Sequence, residues 1–306
     1  MKKLIVCLIF SIFCFTAEQN YFIWGSSARM GDRNGMEDRS LHLNPLFDDF
    51  QQGLFGIFDG HGGHQTANYA VDNFIEAYGK NNYHGIPKYP ELFNYLNSQI
   101  LSDSTCNAAG TCALIGYIKK YQVHLAWIGD SRAVWLRDGK VQYETIDHKP
   151  NITSERARIE SLGVEIYSRT GQFGTFYRCC GIAVSRALGN RYRSLEENFS
   201  KAIISTPDVY ENTAQSGDLL IFACDGIWDV FKSDEIPSLI QKTLNTSYVD
   251  LEKLYPTKPF CRTNNAEQCI SENGDEYLKL VARALRDEAY NKGSGDNLSV
   301  QIIQFK

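Results

Sequence analysis

Phe55-Gly56-Ile57-Phe58-Asp59-Gly60-His61-Gly62-Gly63 places a carboxylate, a flexible backbone and an imidazole where an apolar run reaches the surface. The run reads as the end of a strand that carries chemistry. Asp59 offers hard oxygen to a divalent cation, and Gly60 lets its main-chain carbonyl approach the same ion with no side chain in the way. His61 then stands beside that ion as a proton donor. A glycine-rich turn with an incidental Asp and His is the plain alternative, and the rest of the chain decides between the two.

Three further acidic clusters repeat the pattern. Arg33-Asn34-Gly35-Met36-Glu37-Asp38 lies near the start, Leu219-Leu220-Ile221-Phe222-Ala223-Cys224-Asp225-Gly226-Ile227-Trp228-Asp229 in the third quarter, and Gly293-Ser294-Gly295-Asp296-Asn297-Leu298-Ser299-Val300 at the end. An Asp-Gly pair alone is ordinarily a turn. Four such clusters, most of them tied to an apolar run, are hard to explain as turns. Clustered Asp and Glu without a convergent Cys or His set point to Mg²⁺ or Mn²⁺ rather than zinc.

Short β-rich runs at 21–29, 53–58, 111–118, 122–129, 132–137, 203–210, 218–224 and 298–305 alternate with amphipathic spacing for helices at 63–78, 91–103, 153–161, 233–244 and 275–291. The hairpin signals around Lys119-Lys120 and Arg137-Asp138-Gly139-Lys140 predict antiparallel pairing and exclude a parallel doubly wound sheet.

With these motifs in order, the chain resembles the metal-dependent protein phosphatase family (PPM, protein phosphatase 2C type). Gly110-Thr111-Cys112-Ala113, Ile128-Gly129-Asp130-Ser131-Arg132-Ala133, Asp147-His148-Lys149-Pro150 and Ala183-Val184-Ser185-Arg186-Ala187-Leu188-Gly189 extend the likeness, which runs from about residue 24 to 305. The resemblance implies an α+β fold, an αββα sandwich of two antiparallel sheets flanked by helices with a metal cleft at one end. It implies that Asp59 bridges two ions, that Asp225 and Asp296 complete one, and that the Gly60 carbonyl and Glu37 hold the other. Asp38 would orient water, Arg33 would grip phosphate oxygens, and His61 would protonate the departing alkoxide. Asp130 and Asp229, with Asp225, would form a weaker third site. Two cations sharing a water make hydroxide available near neutral pH for in-line attack on phosphorus. The stretch 163–178 resembles the family's variable flap, a mobile substrate-facing loop. Two departures stand out: Asn190 occupies the family's Asp position after Ala-Leu-Gly, and Cys179-Cys180 replace other residues.

The implied activity is hydrolysis of phosphoserine and phosphothreonine in proteins. The alternatives are a catalytically inactive binding module of the same fold, against which the intact acidic set with Arg33 and His61 weighs, and a secreted metal-binding structural protein.

The 306 residues are 43% hydrophobic, enough for one large core or two small ones, and the spread of the motifs favours one domain over residues 18–306 with an insertion near 248–275. The net charge of −5, with no basic run, argues against nucleic acid. The expected partners are phosphorylated Ser/Thr proteins, met by a monomer. Residues 1–17 have the layout of a secretory signal peptide: Met1-Lys2-Lys3, a short apolar core, and Ala17 before Glu18. The core is short of the about 20 residues a membrane-spanning helix needs. A secreted or luminal protein is therefore expected, with a signal anchor and a buried first strand as alternatives. Cys112 and Cys224 read as buried hydrophobes, Cys261 and Cys269 as disulfide candidates, and a Cys179–Cys180 bridge as strained. Sequons at Asn151, Asn198 and Asn245 lie in turn-like surroundings, whereas Asn297, beside Asp296, is expected to stay unmodified.

Overall fold

The computed structural model of the chain describes residues 20–80, 86–106, 108–171, 174–190, 197–256 and 270–306. Residues 1–17, Cys261 and Cys269 lie outside them. Two antiparallel sheets form the centre. The first runs β15 (Ile270–Gly274), β1 (Phe22–Arg29), β16 (Leu298–Phe305), β14 (Leu219–Ala223), β8 (Arg132–Arg137), β9 (Lys140–Glu144). The second runs β13 (Asp208–Thr213), β7 (Gln122–Ile128), β6 (Ala113–Lys119), β3 (Gln52–Phe58), β2 (Arg39–Leu43). A small sheet of β12 (Leu188–Gly189), β5 (Gly110–Thr111) and β4 (Gly60–His61) and a hairpin of β10 (Ile166–Gly171) and β11 (Gly174–Cys179) complete the strands among the described residues.

Side chains alternate along each central strand, so both faces must be covered. In β3, Phe55 and Ile57 join Leu114 and Leu125 of their own sheet and Phe222 and Ile303 of the other in a core between the sheets. Leu54 and Phe58, on the opposite face, pack under α1 (Gln65–Lys80) and α2 (Tyr89–Ser102). β14 divides in the same way: Leu220, Phe222 and Cys224 enter the inter-sheet core, and Leu219, Ile221 and Ala223 face a helical layer. These are the four layers of an αββα sandwich. Burial on both faces is also why these strands read as continuous apolar runs.

The remaining helices are α3 (Thr153–Ser161), α4 (Glu197–Ala202), α5 (Asp225–Trp228), α6 (Ile236–Leu244), α7 (Tyr248–Leu254) and α8 (Glu276–Asn291). α5, α6 and α8 cover the first sheet. α8 begins at Asp275, whose carboxylate accepts from the backbone N–H groups of Tyr277 and Leu278, both at 3.0 Å. No described helix is long and apolar enough to cross a membrane.

Several local readings differ from the structure. The strand expected at 203–210 begins only at Asp208, because Ile203 is tied to α4 by an Ile203 N–H to Phe199 carbonyl bond of 2.9 Å. β2 had no sequence signal, since its charged and polar residues interrupt the apolar run. The flap expected as a loop is the β10–β11 hairpin in full register. The insertion near 248–275 opens on α7, where Ser247 Oγ accepts the Asp250 N–H, and ends on β15, paired to β1.

Candidate metal centre

Strand ends carry the acidic residues to one place. Asp59 follows β3, Asp130 sits in the turn from β7 to β8, and Asp225 opens α5 directly after β14. Among the described residues, the carboxylate oxygens of Asp59, Asp130 and Asp225 lie within 4.8 Å of one another. They line a cleft of about 430 Å³ together with Arg33, Glu37, Gly60, His61 and Asp296.

Withdrawal from water, reinforced by the facing carboxylates, pushes the Asp59 and Asp225 carboxyls well above the usual range. Three acids held this way repel one another unless a cation lies among them. The donors are oxygens, and Gly60 packs so closely that a Cβ there would stand 2.5 Å from the Glu37 carbonyl. Only glycine leaves that backbone open. The donor set therefore fits a hard divalent cation.

Asp296 stands on the same cleft but outside this trio. Its Oδ2 accepts from Arg33 at 2.5 Å, and its Oδ1 accepts the Asn297 N–H at 2.8 Å. Asp229 follows Asp225 by one helical turn, with its N–H donated to the Asp225 carbonyl at 2.8 Å. The Lys149 ammonium lies 3.2 Å from Asp130 and 3.7 Å from Asp229. Burial alone would lower its pKa, but these carboxylates more than reverse that. Asp38 is buried below the site and accepts from Ser299 Oγ at 2.7 Å. Burial pushes it up to about 6, against the Ser299 hydrogen bond and with the charge of Asp296.

Several residues that position the site carried no isolated signal in the sequence. The Asn297 amide nitrogen donates to the carbonyls of Met30 (2.7 Å) and Gly35 (3.0 Å), and its oxygen accepts the Glu37 N–H (2.7 Å). One buried side chain thus pins the loop that carries Arg33 and Glu37. Thr111 Oγ1 donates to the Asp59 carbonyl at 3.1 Å. Asn190, 1% exposed, has its Oδ1 3.0 Å from His61 Nε2, so the departure after Ala-Leu-Gly falls on the partner of the candidate acid. These contacts join residues far apart in sequence, where no spacing rule applies.

The surrounding motifs act as struts. Arg132 grips Asp147 with two bonds of 2.9 Å, and the His148 N–H reaches the Gly129 carbonyl at 2.8 Å, docking the Asp147–Lys149 loop on the Asp130 turn. Arg186 joins Glu155 (2.6 Å) to Asp208 (2.7 Å). Burial opposes ionisation of Glu155, but the bonds from Arg186 and Arg158 hold it down to about 2. Cys112 and Cys224 are buried thiols: Cys112 donates to Asp130 Oδ1 at 3.3 Å, and Cys224 to the Asn297 carbonyl at 3.3 Å.

Known proteins share both the sequence and the architecture. The chain is 28% identical over 309 residues to "Probable protein phosphatase 2C 52" of Oryza sativa subsp. japonica, covering 95% of this chain and 52% of that protein. It is 32% identical over 234 residues to "Probable protein phosphatase 2C 55" of the same organism, covering 71% of this chain and 57% of that one. The chain thus spans just over half the length of each. Among solved structures, a C. elegans sex determining protein superposes with a TM-score of 0.71 at 25% identity, over 92% of this chain and 64% of that one. A phosphatase from a pathogenic strain of Toxoplasma gondii shares the fold, with a TM-score of 0.68 at 22% identity over 93% of each chain. Residues 24–298 match the Protein phosphatase 2C family, and with an αββα sandwich whose strand ends gather an acidic cluster able to hold metal, the chain belongs to that family.

Proposed function

We propose that this protein hydrolyses phosphoserine and phosphothreonine in proteins, using two Mg²⁺ or Mn²⁺ ions. The observation that carries the reading is the Asp59, Asp130 and Asp225 trio in one cleft with Arg33 and His61. Asp59 would bridge the ions, with Asp225 and Asp296 on one and the Gly60 carbonyl and Glu37 on the other. Bound there, the ions lower the pKa of water and offset charge on the phosphate. Arg33, exposed at the rim, binds phosphate oxygens through its planar fork once it turns from Asp296. Asp38, accepting from Ser299, orients water in the cleft. A third, weaker cation at Asp130 and Asp229 would have to displace Lys149. The test is release of phosphate from a phosphothreonine peptide by the purified protein: turnover is expected with Mn²⁺ and none with excess chelator. Chelator-resistant turnover would overturn the reading.

His61 supplies the proton that the departing serine or threonine oxygen needs, and Asn190 fixes its ring. An aryl oxide leaves without that help. His61→Gln is expected to slow phosphothreonine peptides by roughly 10²–10⁴-fold and aryl phosphates far less. Equal losses on both substrates would make His61 structural.

The basic start, apolar core and Ala17-Glu18 step further support entry into the secretory route with cleavage after Ala17. N-terminal sequencing of the protein expressed in a eukaryotic cell is expected to begin at Glu18. An intact Met1 would remove the localisation proposal and leave the phosphatase proposal standing.

A further inference from the structure

We propose that the β10–β11 hairpin is a docking face for acidic residues flanking the phosphorylated residue of the substrate, read by Arg169 and Arg178. The inference rests on the phosphatase reading above and names the substrate class of the same cleft.

The register decides which side chains share a face. Tyr167 pairs with Arg178, and Arg169 with Phe176, whereas Ile166 pairs with Cys179 and Ser168 with Tyr177. Alternation therefore puts Tyr167, Arg169, Phe176 and Arg178 on one side and Ile166, Ser168, Tyr177 and Cys179 on the other. The second side faces inward. Cys179 and Ile166 pack with Ile159 of α3, and the Arg156 guanidinium of α3 lies 5.8 Å from the Tyr177 ring centre. The arginine side is thus turned away from α3, and at its base Arg178 lines the metal cleft.

That face has an uncommon charge. The two strands hold two arginines and no acid, in a chain of net charge −5 and beside a cleft floored with carboxylates. Arg169 and Arg178 are diagonal neighbours, about 7–8 Å apart at the backbone, and like charges so placed repel. An anion between them relieves the repulsion. Tyr167, 45% exposed, and Phe176 add ring surface beside them. Arg169 lies two residues beyond the Arg178 pair, about 7 Å along the strand. An extended peptide covers that distance in two residues. With its phosphate in the cleft, the substrate meets Arg169 with a side chain at least two positions from the phosphorylated residue. Glu or Asp there completes the face, and Lys is repelled.

The experiment compares kcat/KM, with Mn²⁺, for phosphothreonine peptides carrying Glu, Ala or Lys at the second to fourth positions on either side. An aryl phosphate reports that each preparation is loaded and active. The wild type is expected to prefer Glu over Ala by roughly fivefold on one side, the scale of an exposed ion pair, with the preference shrinking at high salt. Arg169→Ala should bring the Glu to Ala ratio to near one, Arg169→Lys should restore most of it, and Arg169→Glu should favour the Lys peptide. Equal rates for the Glu and Ala peptides in the wild type, or a ratio unmoved by Arg169→Glu, would overturn the inference while aryl phosphate and peptide turnover upheld the phosphatase reading. No turnover of any substrate would remove both.

Discussion

Asp59→Asn is expected to abolish phosphomonoester turnover while leaving the metal-free fold at least as stable as the wild type. The two effects have opposite signs for one reason. Asp59 faces Asp130 and Asp225 within 4.8 Å, an arrangement that is useful around a cation and repulsive without one. Its folded-state pKa lies above the unfolded value, so the folded protein binds the extra proton. Metal-free stability is then greatest below the ordinary Asp pKa and falls as pH rises through the raised one. An amide removes that loss. It also removes the shared ligand, and with it several kcal/mol of charge stabilisation in the transition state, on the order of 10³-fold in rate or more. Thermal unfolding at pH 5 and pH 8, with and without Mn²⁺, checks the first half, and phosphopeptide turnover the second. The wild type should gain about 2.7 kcal/mol at Mn²⁺ 100-fold above its Kd, and the variant far less. Near-normal Mn²⁺-dependent turnover by the variant would sink the site assignment.

Arg286→Met should be strongly destabilising, costing about 3–5 kcal/mol. Arg286 is fully buried on α8 and donates to Asp287 through Nε (2.9 Å) and NH2 (3.1 Å), and to Ser27 Oγ on β1 through NH1 (2.7 Å). Asp287 also accepts from Arg29 at 3.3 Å, and Arg283 forms a two-pronged pair with Glu272 on β15. Methionine keeps much of the volume but leaves Asp287 with half its partners in a place water does not reach. Arg286→Lys, which keeps the charge and loses the fork, should fall between the two. Urea unfolding at fixed metal concentration measures both. A loss below about 1 kcal/mol for Arg286→Met, the scale of an exposed pair, would show that water compensates Asp287.

The central strands were legible because burial on both faces makes them unbroken apolar runs, and the acidic residues because they sit where those runs stop. Edges were harder. β2 and β13 are half covered, so Arg39, His42, Asp208 and Glu211 dilute the apolar signal, and the β10–β11 hairpin is polar enough to read as a loop. Asp130 was read as a metal ligand beside Asp225 and Asp229, but its approach to Asp59, within 4.8 Å, and the pairing of Arg33 with Asp296 join strand ends far apart in sequence. Asn190 stood out only as a departure and Asn297 only as a sequon; their positioning roles were not legible, since a lone amide has meaning only through the groups it reaches across the fold.

The place of β16 decides when the first sheet can close. The strand lies third in its six-stranded sheet, between β1 and β14, with Phe305 opposite Phe22 and the Lys306 N–H on the Tyr21 carbonyl at 2.8 Å. Until that strand leaves the ribosome, β1 and β14 each wait with an open edge, and the inter-sheet core lacks Ile303 and Phe305. Pairing across such a separation is slow and leaves strand edges exposed to aggregation. The first sheet and the core against it therefore close only once residues 298–305 have been made, long after β1 has emerged.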